Sequence, residues 1–88
     1  MSIEELQKYS VGSYLRKCRK LAGLTQKEVS EELGLETPQF ISNVERNISP
    51  VPLNRALQWV DCVGANRFNS WQLMSRQHTG LVKKALGL

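Results

Sequence analysis

Hydrophobic positions along the chain recur every three or four residues, which is the period of an α-helix. The pattern is interrupted at Gly23, Gly34, the Ser-Pro-Val-Pro stretch 49–52, Gly64 and Gly80. Alternating strand patterns are missing, and neither Asn-Gly nor Asp-Gly occurs as a hairpin signal. The sequence therefore predicts an all-α fold.

Residues 10–22 are predicted to form the first long helix, and Gly23 ends it in the manner of a C-cap glycine. One face of this helix is apolar and the rest is basic. The apolar positions are Val11, Tyr14, Leu15, Cys18, Leu21 and Ala22, and the basic ones are Arg16, Lys17, Arg19 and Lys20. The basic cluster is either an exposed helix face or a DNA contact. Upstream, Ser2 and Glu5 have the spacing of a capping box, which predicts a short helical arm over residues 2–8.

A second, shorter helix is predicted over about 26–33. The hydroxyl of Thr25 can cap its first turn, and Gly34 ends it. Val29 and Leu33 fall on one face of this helix and are expected to point inward.

A third helix is predicted over about 38–46, with Thr37 as its N-cap and Pro38 at its first position. Threonine is a good N-cap residue and proline is favoured directly after the cap, so this boundary is well marked. Its expected buried stripe consists of Phe40, Ile41 and Val44.

The rest of the chain carries three further apolar segments. A fourth helix is predicted from about 52 to 64, with Leu53, Ala56, Trp59, Val60 and Val63 on its apolar face. Beyond it, Phe68, Trp71 and Met74 keep a helical spacing, and Leu81, Val82, Ala85 and Leu86 form a last apolar cluster. That cluster either packs back on the bundle or serves dimerisation, and Trp71 is a second candidate for a dimer interface.

The composition excludes several functional classes. With 88 residues the chain has room for one domain, and a cofactor-binding sheet domain or a barrel enzyme does not fit. Cys18, Cys62 and His78 are its only thiols and imidazole, too few for structural zinc. No nucleophile–base pair or phosphate loop is present. We therefore expect no catalytic residue, no metal, no cofactor and no small-molecule substrate.

The charge and hydropathy of the chain limit which classes of partner and which cellular location we expect. The net charge of +4 favours an anionic partner, nucleic acid before membrane. No apolar run approaches the length of a membrane span, and the acidic N-terminus lacks the features of a signal peptide. The expected location is cytoplasmic, without membrane association.

The second and third helices are joined by a few residues around a glycine, which is typical of a helix-turn-helix unit. Such helices cross closely, and Ser30 supplies the small residue that the crossing needs. If residues 40, 41 and 44 are buried, Gln39, Ser42, Asn43 and Arg46 must face outward. All four are hydrogen-bonding types and none is acidic.

The chain resembles the Cro and lambda-repressor (XRE) family of DNA-binding regulators over roughly residues 11–64. The resemblance rests on Gly-Leu-Thr-Gln at 23–26, Leu-Gly at 33–34 and Ile-Ser-Asn-Val-Glu-Arg at 41–46. It implies a compact lambda-repressor-like bundle of about five helices. It also implies sequence-specific binding of double-stranded DNA, commonly as a homodimer on a two-fold site.

The resemblance also implies roles for single residues. Gln39, Ser42 and Asn43 match the positions that meet base edges, where glutamine and asparagine can bond adenine in two places. Glu45 matches a structural glutamate of the family, which bonds the backbone or an arginine. The positions expected near the DNA backbone are Gln26, Lys27, Thr37, Arg46 and Asn47.

Two features of the sequence differ from what a DNA-binding helix-turn-helix of this family leads us to expect. Ser30 and Ile41 are eleven positions apart, one more than the common family spacing, so Thr37 and Pro38 either contact DNA or only cap the helix. Residues 25–47 carry a net charge of −3, because Lys27 and Arg46 face five glutamates. Phosphate affinity is therefore expected from flanking residues and from N–H groups at helix N-termini.

These observations favour a DNA-binding transcriptional regulator, with repression from a palindromic operator as the expected mode. The alternative is an antitoxin or another protein-interaction module that binds a partner protein through residues 65–88. The expected organisation is an arm over 1–9, a DNA-binding domain over 10–64 and a C-terminal helical extension over 65–88.

Overall fold

The computed structural model describes residues 2–75 and 86–87, and within them every regular element is helical. The all-α prediction is confirmed. None of the helices in this part of the chain is long and apolar enough to cross a membrane. The helices are α1 (Ile3–Gln7), α2 (Val11–Leu21), α3 (Gln26–Glu32), α4 (Gln39–Glu45), α5 (Ala56–Cys62) and α6 (Arg67–Met74), and a 3-10 turn (Leu53–Arg55) leads into α5.

A single apolar core lies between these helices, and Trp59 of α5 is its largest fully buried side chain. The half-buried ring of Phe40 on α4 packs at a tilt against Trp59, with ring centroids 6.2 Å apart. The core positions predicted in α2, α3, α4 and α5 are confirmed for Val11, Tyr14, Leu15, Val29, Leu33, Ile41, Val44, Ala56, Trp59, Val60 and Val63. Cys18 and Leu53 are only partly buried and pack against this core.

The apolar edge of α2 is covered only in part. Leu21 was expected on the buried face, but it is 78% exposed, and Ala22 beside it is exposed too. Tyr14 lies two turns earlier on the same edge and is buried, because the start of α6 reaches it: the Asn66 N–H donates to the Tyr14 hydroxyl at 3.4 Å. Leu21 is not covered in this way.

The C-terminal segment contributes to the same core. The helical spacing predicted for Phe68, Trp71 and Met74 is confirmed, because all three lie on α6. Met74 is buried with Ser70 and Leu73, Trp71 packs partly buried against the core, and Phe68 is 51% exposed. Leu86 is fully buried. The remaining predicted features of this segment, His78, Gly80, Leu81, Val82 and Ala85, lie outside the described residues.

The predicted start of α4 is corrected. Pro38 takes the N-cap position in a helical conformation (φ −74°, ψ −6°), and among the described residues no side chain caps this helix. Thr37 is exposed and precedes the cap. The reason is that the turn begins its helical path at Pro38, whose carbonyl accepts from the Ser42 N–H at 3.1 Å. The predicted caps of α1 and α3 are present as Ser2 and Thr25, and Ser10, for which no cap was predicted, caps α2.

The end of α4 lies directly on the beginning of α2. Asn47 follows α4 in the left-handed conformation (φ 62°), and its Nδ2 donates to the Ser10 hydroxyl at 2.9 Å. A Cβ on Gly12 would lie 2.2 Å from the Val44 carbonyl oxygen and 2.9 Å from that of Glu45. Position 12 therefore requires glycine, because two backbone oxygens occupy the space of a side chain.

We expect Gly12→Ala to destabilise the protein by about 1–3 kcal/mol, since α2 and α4 must move apart to admit the methyl group. Helix propensity alone would give the opposite sign, a gain of about 0.5–1 kcal/mol. Urea unfolding followed by circular dichroism measures the difference. Lys20→Ala, on the exposed side of the same helix, is the control and should change little. A gain in stability for Gly12→Ala would show that this close approach is absent.

Candidate nucleic-acid interface

Helices α3 and α4 are joined by residues 33–38, and α3 ends in a tight hydrogen-bonded turn. The Gly34 N–H donates to Glu31 O at 3.1 Å and the Leu35 N–H donates to Ser30 O at 2.8 Å, with Gly34 at φ +71°. This is the Schellman pattern, which favours glycine at the left-handed position. Because α3 ends in this usual way at Gly34, the extra residue of the turn lies after Gly34. The side chain of Leu35 packs against the core.

The small residue predicted at the helix crossing lies where it was expected. Ser30 is 2% exposed, and its hydroxyl is satisfied within α3 by donating to Lys27 O at 2.7 Å. A larger side chain at this buried position would have to displace the elements packed against α3, which contacts α4 and α5.

A buried ion pair holds α4 against α2. The Nε of Arg19 donates to Oε2 of Glu45 at 2.6 Å, and its Nη2 donates to Oε1 at 3.1 Å. The side chains are 9% and 1% exposed. The third nitrogen of the guanidinium, Nη1, donates to Leu24 O at 2.8 Å. Arg19 therefore does not belong to the exposed basic face to which the sequence pattern assigned it.

Gln26 joins the same network from α3. Its Nε2 donates to Oε1 of Glu45 at 3.0 Å, and the residue is half-buried. Glu45 thus accepts from both α2 and α3, which agrees with the structural role that the family resemblance implies for it. Because its amide nitrogen is engaged, Gln26 holds one orientation at the N-terminus of α3.

The outer face of α4 carries the four predicted polar residues and no acidic one. Gln39 and Arg46 are exposed, and Ser42 and Asn43 are half-buried. The Oδ1 of Asn43 accepts from Gln39 Nε2 at 3.0 Å and from Arg46 Nη2 at 3.3 Å. The structure therefore brings three of these side chains together as a hydrogen-bonded row along about two turns of helix.

The other predicted contact residues lie around the two ends of this row. Lys27 is exposed next to Gln26 at the start of α3, and Thr37 is exposed just before α4. Asn47 is exposed beyond the end of α4, where its side chain bonds Ser10.

Four of the five glutamates of the motif lie off the outer face of α4, and the fifth, Glu36, is exposed in the turn before α4. Glu45 is neutralised by Arg19, and Glu28 is held in the capping box of α3 by the Thr25 N–H at 3.0 Å, which lowers the pKa of its carboxyl. Glu28, Glu31 and Glu32 line a groove with Leu24 and Cys62, to which α4 contributes no residue. The net charge of −3 over 25–47 is therefore a property of the segment and not of the surface that carries Gln39 and Asn43.

Comparison with known protein families matches residues 15–62, more than half of the chain, to the helix-turn-helix family. The chain belongs to this family. It is a helix-turn-helix protein of the Cro and lambda-repressor type, a DNA-binding transcription regulator that binds double-stranded DNA. No curated protein and no solved structure gives a significant match.

Sequence reasoning missed the arginine that anchors this helix-turn-helix unit. Arg19 follows Leu15 by four positions, so both lie on one side of α2, and Glu45 follows Ile41 by four positions in α4. Opposite charges next to the apolar stripes of two neighbouring helices are the signal that could have identified the pair. No group of three or more His, Cys, Asp or Glu side chains is positioned to hold a metal ion within residues 2–75 and 86–87.

We expect Arg19→Leu to cost about 3–5 kcal/mol of stability, because it leaves the carboxylate of Glu45 buried without its cation. The double variant Arg19→Leu, Glu45→Leu should recover most of that loss, since a buried pair can often be replaced by apolar side chains. Equilibrium unfolding in urea measures both.

The chain contains a matched exposed pair as a control. Arg67 binds Asp61 through two hydrogen bonds of 3.1 and 2.8 Å, and both side chains are nearly half exposed. Arg67→Leu should leave stability almost unchanged, because solvent screens exposed pairs. Equal effects of Arg19→Leu and Arg67→Leu would contradict the anchoring role of the buried pair.

Proposed function

We propose that the protein is a repressor that binds a palindromic operator as a homodimer, with α4 in the major groove. The observation that carries this proposal is the outer face of α4, where Gln39, Asn43 and Arg46 form one hydrogen-bonded row. A helix held firmly on its inner side and polar on its outer side is suited to enter the major groove of DNA. Binding there would exclude other proteins from the same stretch of DNA.

Base reading is assigned to Gln39, Ser42 and Asn43. The amides of Gln39 and Asn43 can each present a donor and an acceptor to adenine, and the Ser42 hydroxyl can act as a donor or as an acceptor. The Oδ1 of Asn43 already accepts from Gln39 and from Arg46, so these hydrogen bonds have to be exchanged for hydrogen bonds to the base when DNA binds.

Backbone contacts are assigned to the residues at the two ends of the α4 row. Lys27 and Arg46 supply charge, and Gln26 is oriented by Glu45 at the N-terminus of α3. Two copies related by a two-fold axis would place their recognition helices about 34 Å apart, one turn of DNA. The full set of backbone residues is Gln26, Lys27, Thr37, Arg46 and Asn47.

We expect the double variant Gln39→Ala, Asn43→Ala to lose at least about thirtyfold in affinity for a site obtained by in vitro selection, since each bidentate contact discriminates by about 1–3 kcal/mol. Fluorescence anisotropy with labelled duplex measures the affinity, and circular dichroism checks the fold. Gln7→Ala, an exposed glutamine on α1, is the matched control and should bind normally. Full retention of specific binding by the double variant would contradict the assigned reading residues.

Lys27→Ala and Arg46→Ala should each weaken binding to selected and unrelated DNA to a similar degree. Each should also reduce the slope of log affinity against log salt concentration by about one, because one phosphate contact is lost. A salt titration of binding measures the slope. An unchanged slope would place the residue away from the phosphates.

A partner protein is a second candidate, favoured by the aromatic pair on α6. Phe68 is 51% exposed and lies edge-on to Trp71, with ring centroids 5.2 Å apart. An antitoxin would use such a surface in the C-terminal segment to bind its toxin. Phe68→Ser should then abolish stoichiometric co-purification of the partner and leave DNA binding intact, whereas truncation at Gly64 would also remove Leu73 and Met74 from the core.

A further inference from the structure

The chain turns sharply where α4 ends, and this turn places Ile48 beside a residue assigned to base reading. The Asn47 N–H donates to Val44 O at 3.0 Å and the Ile48 N–H donates to Asn43 O at 2.8 Å, with Asn47 at φ 62°. These two bonds form the Schellman pattern, with asparagine at the left-handed position. The Ser49 N–H donates to the same oxygen of Asn43 at 3.3 Å. The backbone of Ile48 is therefore tied to the position of Asn43.

This turn is anchored on both sides of Ile48. Before it, the Nδ2 of Asn47 donates to the Ser10 hydroxyl at the start of α2, at 2.9 Å. After it, the chain enters the core at Val51, which is fully buried. Because both anchors lie within the protein, the backbone of Ile48 is fixed relative to the outer face of α4 independently of DNA.

The side chain of Ile48 is exposed, although an apolar residue at this place in a Schellman turn commonly contacts an apolar residue in the last turn of the helix. In this chain the helix residues at those positions are Ser42 and Asn43, which are polar. Ile48 is accordingly 62% exposed, and it is not among the apolar side chains that pack against the core in the described part of the chain. The end of α4 thus carries an uncovered apolar group next to two assigned base readers.

The other large apolar side chains that are exposed within the described residues lie on different parts of the surface. They are Ile3 on α1, Leu21 at the end of α2 and Phe68 on α6. Ile48, in contrast, directly follows two residues that are assigned to the DNA backbone. Its exposure is therefore a feature of the candidate DNA interface, and burial of this side chain against an apolar group of the DNA would favour binding.

The chemistry of the side chain selects its partner on the DNA. An isoleucine side chain has no hydrogen-bonding atom, so Ile48 can contribute only an apolar contact. In the major groove, the apolar group that the base edges present is the C5-methyl group of thymine. We propose that Ile48 packs against the methyl group of a thymine next to the bases that Ser42 and Asn43 contact. This contact rests on the proposed function, because it forms only with α4 in the major groove, and it adds a reader of thymine to the polar readers.

The test first removes the methyl group from the DNA. Each thymine of a site obtained by in vitro selection is replaced, one at a time, by deoxyuridine, which keeps the hydrogen-bonding edge of the base and lacks the methyl group. At one thymine position of the half-site this replacement should weaken binding of the unchanged protein about three- to fourfold, which is the effect of leaving one methyl group unburied. Fluorescence anisotropy with labelled duplex measures the affinity.

The second step removes the side chain from the protein. Ile48→Ala should bind the selected site at least about threefold more weakly, and deoxyuridine at the same thymine position should then cause no further loss. Losses that do not add show that the side chain and the methyl group contact each other. Ile3→Ala is the matched control, since Ile3 is 63% exposed on α1. It should bind normally and keep the full response to deoxyuridine, and circular dichroism checks the fold of both variants.

A second selection, carried out with Ile48→Ala, measures the base preference directly. It should no longer enrich thymine at the position that responds to deoxyuridine, because the apolar contact that favours thymine is gone. The preferences at the other positions of the site should be the same as for the unchanged protein, since the polar readers are intact.

The proposal is overturned if no deoxyuridine substitution weakens binding, or if Ile48→Ala responds to every substitution as the unchanged protein does. A loss of affinity by Ile48→Ala that is equal for selected and unrelated DNA would place the side chain on the sugar–phosphate backbone and would also overturn thymine reading. Weaker self-association of Ile48→Ala in sedimentation without DNA, with the deoxyuridine response retained, would place it between two protein copies and have the same consequence.

The variant Gln39→Ala, Asn43→Ala separates this proposal from the proposed function. If this variant loses specific binding while deoxyuridine shows no coupling to Ile48, only thymine reading fails. If the variant retains full specific binding, the assigned position of α4 in the major groove fails.

Discussion

The position of α4 depends on one buried carboxylate. Glu45 accepts two hydrogen bonds from Arg19 of α2 and one from Gln26 of α3, so three helices meet at a single side chain. A buried charge needs hydrogen bonds from its surroundings. Here the planar guanidinium of Arg19 fixes both the direction and the length of its two hydrogen bonds to Glu45. The pair adds little net stability compared with an apolar replacement, but it defines how α4 is oriented relative to α2 and α3.

The same end of α4 is also fixed by a second means. There the backbone carbonyls of Val44 and Glu45 approach Gly12 closely, and Asn47 reverses the chain while bonding the cap of α2. The first constraint is electrostatic and the second steric, and both act on the C-terminal half of α4. The N-terminal half, beginning at Pro38, has no side-chain cap among the described residues and is held instead by Phe40 and Ile41, which pack into the core. The inner side of α4 is thus supported along its length, and its outer face carries Gln39, Asn43 and Arg46.

Much of this arrangement could be predicted from local sequence rules. Gly23, Gly34 and Gly64 end helices as expected, Thr25 caps α3, and Trp59 lies in the core, because caps and apolar stripes depend on residues close in the chain. The outward placement of Gln39 and Asn43 followed from the same periodicity. Arg19 and Leu21 could not be placed in this way, since their surroundings are decided by which distant element covers each edge of α2. Arg19 is buried because Glu45 lies opposite it, whereas Leu21, on the edge of the same helix, is left 78% exposed.

The separation of charge over the surface explains why a net acidic segment can belong to a DNA-binding protein. Of its five glutamates, Glu45 is neutralised in the interior and three line a groove away from α4, so the segment sum says little about the field at the recognition helix. Exposed charges act over roughly a Debye length, about 8–10 Å in ordinary salt, which is short compared with the 31 Å longest extent of the molecule. Opposite surfaces of one small domain can therefore present different potentials to different partners.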